Sequence, residues 1–215
     1  MFGEPAALSN FTFLDGASHP QELAATAHAL GHTALGIADR NSMAGLVRGM
    51  VACEQAGLRF LPGVRLHLTD GSEYLAWPTD RTAYGRLCAL LSAARMEAPK
   101  GECPMGFADL LGAAEGQVLA RIAPGTPDSA FATRHAREAR ALRERLAMPL
   151  LLAAAHRANG ADRHRLDTLS ALPEARLIAA GGVRYHAPAR QRLADVLTAI
   201  RFGCTVDRLG LAAEP

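Results

Sequence analysis

Short apolar runs alternate with amphipathic stretches along almost the whole chain, and that alternation narrows the folds open to it. Runs at 34–38, 60–68, 73–77, 117–122, 148–154 and 176–180 read as strands. Helical spacing of apolar residues predicts helices over 21–30, from Asn41 to Gly57, and over 82–95, 107–111, 129–146, 160–172 and 188–202. Repeated β–α alternation argues for parallel strands wrapped by helices. The 73–77 run pairs back on 60–68 across the Thr69-Asp70-Gly71-Ser72 turn. With 215 residues, 49% of them apolar, a single α/β domain of barrel-like architecture fits.

The opening stretch, Leu8 to Pro20, reads as a short strand, an Asp15-Gly16 turn and a helix start. Leu8, Phe11, Phe13 and Leu14 supply its apolar mass. Ser18 is a good N-cap, and Gln21 three residues on completes a capping box. Asp15 would then lie at the carboxyl end of the first strand, the edge where chemistry collects in parallel α/β folds. In the helix after Asn41, the face carrying Met43, Leu46, Val47, Met50 and Val51 should be buried, and in 188–202 the face carrying Leu193, Val196, Leu197 and Ile200. In 129–146, Arg134, Arg137, Glu138, Arg140, Arg143, Glu144 and Arg145 read as a solvated face.

Composition excludes several classes. A net charge of +2 argues against a domain whose main work is neutralising phosphates. Every cation except Lys100 is arginine, which suits carboxylate and phosphate contacts. Cys53, Cys88, Cys103 and Cys204 show no C-x-x-C spacing, so zinc-finger and redox readings are poor. Cys53 and Cys88 should be buried thiols, consistent with a reducing, cytoplasmic setting. No signal-peptide pattern or membrane-length apolar run occurs, so a soluble protein without membrane contact is expected. P-loop, Rossmann and nucleophile-elbow spacings are absent.

Four segments carry a family resemblance: LSNFTFLDGASHPQEL, ALGIADRNSMAGLVRGMVACEQAGLRFLPGVRL, WPTDRTAYGRLCALL and LADVLTAIRFGCTV. In this order they span nearly the whole chain. They resemble the PHP (polymerase and histidinol phosphatase) domain of bacterial C-family DNA polymerases, and most closely the error-prone branch. The resemblance implies an α/β fold of the PHP type, a distorted seven-stranded (β/α) barrel. It also implies one PHP domain over 1–215, the N-terminal part of a longer polymerase chain.

PHP enzymes hold divalent metals with His and carboxylate side chains at strand ends, where the metals activate water and stabilise phosphate oxygens. The matching positions here depart from that pattern. The opening His-x-His pair corresponds to Ala6 and Leu8. Asp15 remains. The next motif is Asp39 followed by Arg40. A Gly-x-Glu motif has become Gly63-Val64-Arg65, and a late Asp-x-His motif has become Gly182-Val183-Arg184. A Cys or His ligand expected after 117–122 falls near Ala123. His156 matches a histidine often seen in the error-prone branch, and His186 follows close on Arg184. One carboxylate cannot assemble a multi-metal site, and a guanidinium stays charged at any working pH. The reading is therefore a degenerate site with no catalytic residue, no metal and no other cofactor. In it Arg65, Arg184 or Arg40 enters the old pocket and neutralises Asp15.

The function implied is structural support for the core of an error-prone, translesion and DNA-repair polymerase. Its partners would be the remaining polymerase domains of the same chain, and DNA through the parent enzyme. An apolar patch facing those domains should be exposed. Two readings compete. One is an active metal-dependent phosphoesterase or 3′–5′ proofreading exonuclease, which would need a divalent cation. The other is a DNA-binding accessory module using the arginine-rich helix.

Overall fold

The computed structural model describes residues 2–146, 148–155 and 160–210. It is an α/β structure whose seven strands follow one another in chain order in one sheet, β1 (Glu4–Ala7), β2 (Ala34–Arg40), β3 (Arg59–His67), β4 (Glu73–Pro78), β5 (Gln117–Ile122), β6 (Leu151–Ala154) and β7 (Leu177–Ala179). The chain divides into two compact units, Met1–Val64 with Gly182–Pro215, and Arg65–Gly181.

The first unit holds β1, β2, most of β3, and helices α1 (Pro20–Ala29), α2 (Leu46–Gln55) and α7 (Gln191–Phe202). β1 and β2 run parallel, with Glu4 opposite Leu35 and Ala7 opposite Ile37. The backbones come very close here: a Cβ on Gly36 would lie 1.9 Å from the Pro5 carbonyl oxygen. Ala7, Leu23, Leu35, Ile37, Leu46 and Cys53 form the centre of the core. Burying each large aliphatic side chain among them contributes about 1.5–3 kcal/mol. Burial also pushes the Cys53 thiol up to about 11.

Two expected helix faces are only partly borne out: Leu46 is buried and Met43 packs against the core, but most of the other large residues face out. The inward side of α2 is Leu46, Gly49, Ala52 and Cys53, while Val47, Met50 and Val51 are exposed. The cause is close packing: a Cβ on Gly49 would meet Ile37 and Phe60 at 2.8 Å, so nothing larger fits. On α7 the buried residues are Ala194, Thr198 and Ala199, and Leu193, Val196 and Ile200 face solvent. The helix stops at Gly203, which adopts φ +64, a left-handed C-terminal position suited to glycine.

The opening strand also lies earlier than expected. It spans Glu4–Ala7, and 8–18 is a compact series of turns in which Phe13 points outward, 85% exposed. The cap of α1 moves by one residue. His19 is the N-cap, and its N–H donates to Glu22 Oε2 at 2.9 Å, so Glu22 rather than Gln21 closes the box.

The second unit carries β4 to β7 with α3 (Arg81–Met96), α4 (Phe107–Ala113), α5 (Ser129–Leu142) and α6 (Asp162–Ser170). Gly71, at φ +80, makes the turn into β4. The N–H of Leu68 donates to the Ser72 carbonyl at 2.9 Å. β4 runs antiparallel to β5, with Tyr74 opposite Arg121, whereas β5, β6 and β7 are parallel. One reversed strand, entered through a tight turn, departs from an all-parallel sheet. Asp80 caps α3 and Asp128 caps α5, each accepting the N–H three residues on.

Two further expectations fail in this unit. Cys88 is only half-buried. Glu138 is not part of a solvated face: it shares the inward stripe of α5 with His135, Ala139 and Leu142. Its carboxylate lies 2.7 Å from Arg121 Nη1 and accepts the Tyr74 hydroxyl at 2.5 Å, with all three side chains buried. Burial, with the neighbouring Glu138 carboxylate, pushes the Tyr74 phenol well up. Arg121 also lies over the Phe131 ring at 4.6 Å.

Candidate functional site

Asp39, at the end of β2, organises the loop that follows β1. Its Oδ1 accepts the Ser9 N–H and the Thr12 hydroxyl, both at 2.7 Å, and its Oδ2 accepts the Ser9 hydroxyl at 2.8 Å. The Thr12 oxygen in turn accepts the Arg40 N–H at 3.0 Å. Burial raises the Asp39 carboxyl above its usual range, opposed by the hydrogen bonds from Thr12 and Ser9. Gly45 lets the next segment approach: a Cβ there would sit 2.5 Å from Asp39 Oδ2. Asp39 is thus a loop anchor with its oxygens already engaged.

The other side of the loop is held by the segment after Gly182. The N–H of Leu8 donates to the Val183 carbonyl and that of Ala17 to the Arg184 carbonyl, both at 2.8 Å. Ser18, freed from capping, accepts the His186 N–H at 2.9 Å, and its hydroxyl lies 2.8 Å from His186 Nδ1. These bonds set the turn Thr12 to Asp15, where the Asp15 N–H donates to the Thr12 carbonyl and Leu14 takes φ +58.

The turn buries Asp15, whose side chain is 1% exposed, and three arginines meet it. Arg40 Nη2 lies 2.9 Å from Oδ2, Arg201 Nη1 lies 3.1 Å from Oδ2, and Arg184 Nη1 lies 3.3 Å from Oδ1. Their side chains are 33%, 25% and 17% exposed. They come from the end of β2, the last turn of α7 and the segment after β7. Arg40 and Arg184 are two of the three arginines that the sequence pointed to. The third, Arg65, belongs to the second unit and forms a bidentate pair with Glu73, Nη2 to Oε2 at 2.6 Å and Nε to Oε1 at 3.2 Å. His156 lies outside the described residues.

Arg201 was missed by sequence reasoning. A basic residue in the last turn of a helix is ordinary, since it complements the helix dipole, so nothing local marks it. The buried group Tyr74, Arg121 and Glu138 was missed as well. Its signal was present: Glu138 stands three and four residues from His135 and Leu142 on the apolar stripe of α5.

This donor set does not fit a divalent cation. A dication would meet three guanidiniums beside the one carboxylate, and the neighbouring Ala6 and Leu8 are buried hydrocarbon. Among the described residues, no three His, Cys, Asp or Glu side chains gather as a metal centre. What the arrangement does chemically is neutralise a buried carboxylate and tie three chain segments to one turn.

The sequence profile of the PHP domain family matches residues 8–146. The chain belongs to the PHP domain family. It is 41% identical over 216 residues to an error-prone DNA polymerase of Caulobacter vibrioides, covering 100% of this chain and 20% of that protein. It is 39% identical over 212 residues to an error-prone DNA polymerase of Rhodopirellula baltica, covering 94% of this chain and 18% of the relative. The chain thus spans about a fifth of the length of these curated relatives. Among solved structures, an amidohydrolase from Chromobacterium violaceum with bound sulfate and no metal superposes with a TM-score of 0.63 at 16% identity, covering 86% of this chain and 88% of that one. A putative metal-dependent phosphoesterase from Bifidobacterium adolescentis gives a TM-score of 0.56 at 17% identity, covering 86% and 88%. At such identities the likeness speaks for the PHP fold alone.

Proposed function

We propose that residues 1–215 act as one PHP domain of an error-prone, translesion and DNA-repair DNA polymerase. Its work is structural support for the polymerase core, and it hydrolyses nothing itself. The reading is carried by one observation: the carboxylate retained from the family motif is engaged by Arg40, Arg184 and Arg201. In a working metal site the same carboxylate would face a dication and other acids. Here guanidiniums stand where metal charge would, so the pocket cross-links the domain. The error-prone polymerases that match along the whole chain supply the context, since the matched region is a fifth of the Caulobacter protein. The partners are then the other domains of the same polymerase, and DNA is met through them. No helix among the described residues is long and apolar enough to cross a membrane, and the domain is proposed to act in the cytoplasm.

The test is hydrolysis of a chromogenic phosphodiester and of a 3′-labelled DNA strand, with manganese or zinc added. The expected result is no turnover above a metal blank. Turnover abolished by Asp15→Asn would overturn the proposal and restore the phosphoesterase or exonuclease reading. In parallel, deletion of 1–215 from the full polymerase should abolish soluble, active enzyme. Retention of normal DNA synthesis after deletion would refute the supporting role.

A further inference from the structure

α7 is built inside out. Its buried positions are the small or polar Ala194, Thr198 and Ala199, and its bulky residues Leu193, Val196 and Ile200 are 40%, 44% and 58% exposed. These three recur at spacings of three and four, so they form one stripe along one helix face. Phe202, the last residue of the helix, and Val206 after it are also exposed, at 59% and 44%, with Phe202 leaving the helix on a different side from the stripe. The basic residue that could have covered its end, Arg201, is turned inward to Asp15, 3.1 Å away. That ion pair fixes the rotation of α7 about its own axis. While Arg201 points into the former metal pocket, the positions on the other face must point out.

An exposed stripe of this kind is disfavoured in water unless something covers it. We propose that the outer face of α7 is the surface on which the rest of the polymerase chain docks, and that the Asp15–Arg201 pair is the lock that presents it. The occupant is an apolar surface of the polymerase beyond this domain. Three observations favour it over other occupants. The relatives matched along the whole chain carry about four-fifths of their length outside the matched region, so most of the protein is available to cover the face. Further exposed apolar side chains, Phe202 and Val206, follow at the end of the helix and just after it. The stripe's own Leu193, Val196 and Ile200 are all branched aliphatic residues, with the exposed Arg192 beside them at the edge, the arrangement of an apolar interface centre with a polar rim. The proposal rests on the supporting role stated above and adds to it where the support is delivered.

The test uses the full polymerase carrying Val196→Glu with Ile200→Glu, and separately the milder Val196→Ala with Ile200→Ala. Hydrogen exchange over residues 191–202 and primer extension are read in each. The expected result for the Glu pair is fast exchange of α7 and loss of extension by about tenfold or more, since about 1.4 kcal/mol of lost docking is a factor of ten. The Ala pair should move both readouts in the same direction by a smaller factor. Unchanged exchange and extension in both variants would overturn the docking face. If they are unchanged while deletion of 1–215 abolishes activity, the supporting role stands and this surface is wrong. If deletion is also harmless, the supporting role itself fails. Self-association of the polymerase lost on Val196→Glu, with extension unchanged, would give the face to a second copy and likewise overturn the proposal.

Discussion

Replacing Asp15 by Asn removes one charge from a pocket that holds three of the opposite sign, and the sign of the outcome separates two histories of the site. At an effective dielectric near 20, a guanidinium about 4 Å from a carboxylate gains about 4 kcal/mol. Three such attractions, reduced by three guanidinium–guanidinium repulsions of about 3 kcal/mol each, leave roughly 3 kcal/mol holding the cluster together. The arginines are 17–33% exposed, so they can swing toward water once the carboxylate is gone. That discount brings the expected loss to about 2 kcal/mol. For a domain of this size it is a fall in Tm of about 4–8 °C. Urea unfolding and thermal melts of the purified protein check it. The loss should shrink only modestly in high salt, because the carboxylate is buried and its pairs are poorly screened. A double replacement, Asp15→Asn with Arg201→Met, should cost less than the sum of its parts, as contacting partners do. In a cluster of carboxylates waiting for metal, Asp→Asn relieves repulsion and stabilises the metal-free protein. Unchanged or increased stability for Asp15→Asn would therefore refute the claim that the arginines have taken over this pocket.

Other outcomes follow from separate parts of the structure. Glu138→Gln keeps an acceptor for the Tyr74 hydroxyl but strands the buried Arg121, and should cost about 3–5 kcal/mol in denaturant unfolding. Gly36→Ala drives a methyl against the Pro5 carbonyl, neither of which can move within paired strands, and should cost about 3 kcal/mol or fail to give folded protein. Burial lowers the His135 pKa, with Arg121 adding to the effect, so the unfolded chain takes up this proton first as pH drops below the ordinary histidine value. Stability should then fall with acidification from about pH 6.5. His135→Phe, which can keep the stacking on Phe131, should flatten that slope in melts from neutral to mildly acid pH.

Much of the scaffold was legible because β–α alternation is a pattern of apolar mass, and apolar mass dominates burial. The limits of β5 were read to the residue, and those of β2 and α3 to within two. Helix orientation was less legible, for a physical reason. A periodicity argument assumes that the large residues go inward. In α2 the backbone at Gly49 lies so close to Ile37 and Phe60 that nothing larger fits, and in α7 the inward positions are the small Ala194, Thr198 and Ala199, so several large side chains go out. At the site, Arg40 and Arg184 could be named because they fall at positions where the family resemblance implies a metal motif. Arg201 reaches Asp15 from far along the chain, and tertiary approach of that kind leaves no local trace. Glu138 was placed outside because a charged residue on an amphipathic helix usually is, and its two buried partners lie on neighbouring strands.

If the proposed loss of the metal site is right, the three arginines would also act as an evolutionary ratchet. Arg40, Arg184 and Arg201 lie in three separate stretches of sequence, so no single replacement clears the pocket. Reverting one leaves two cations beside Asp15, and a dication about 5 Å from a guanidinium is repelled by about 7 kcal/mol at an effective dielectric of 20. Every intermediate on the way back would thus bind metal poorly while having already given up part of the cross-link that steadies the loop. Such a lineage would keep the fold and lose the return path.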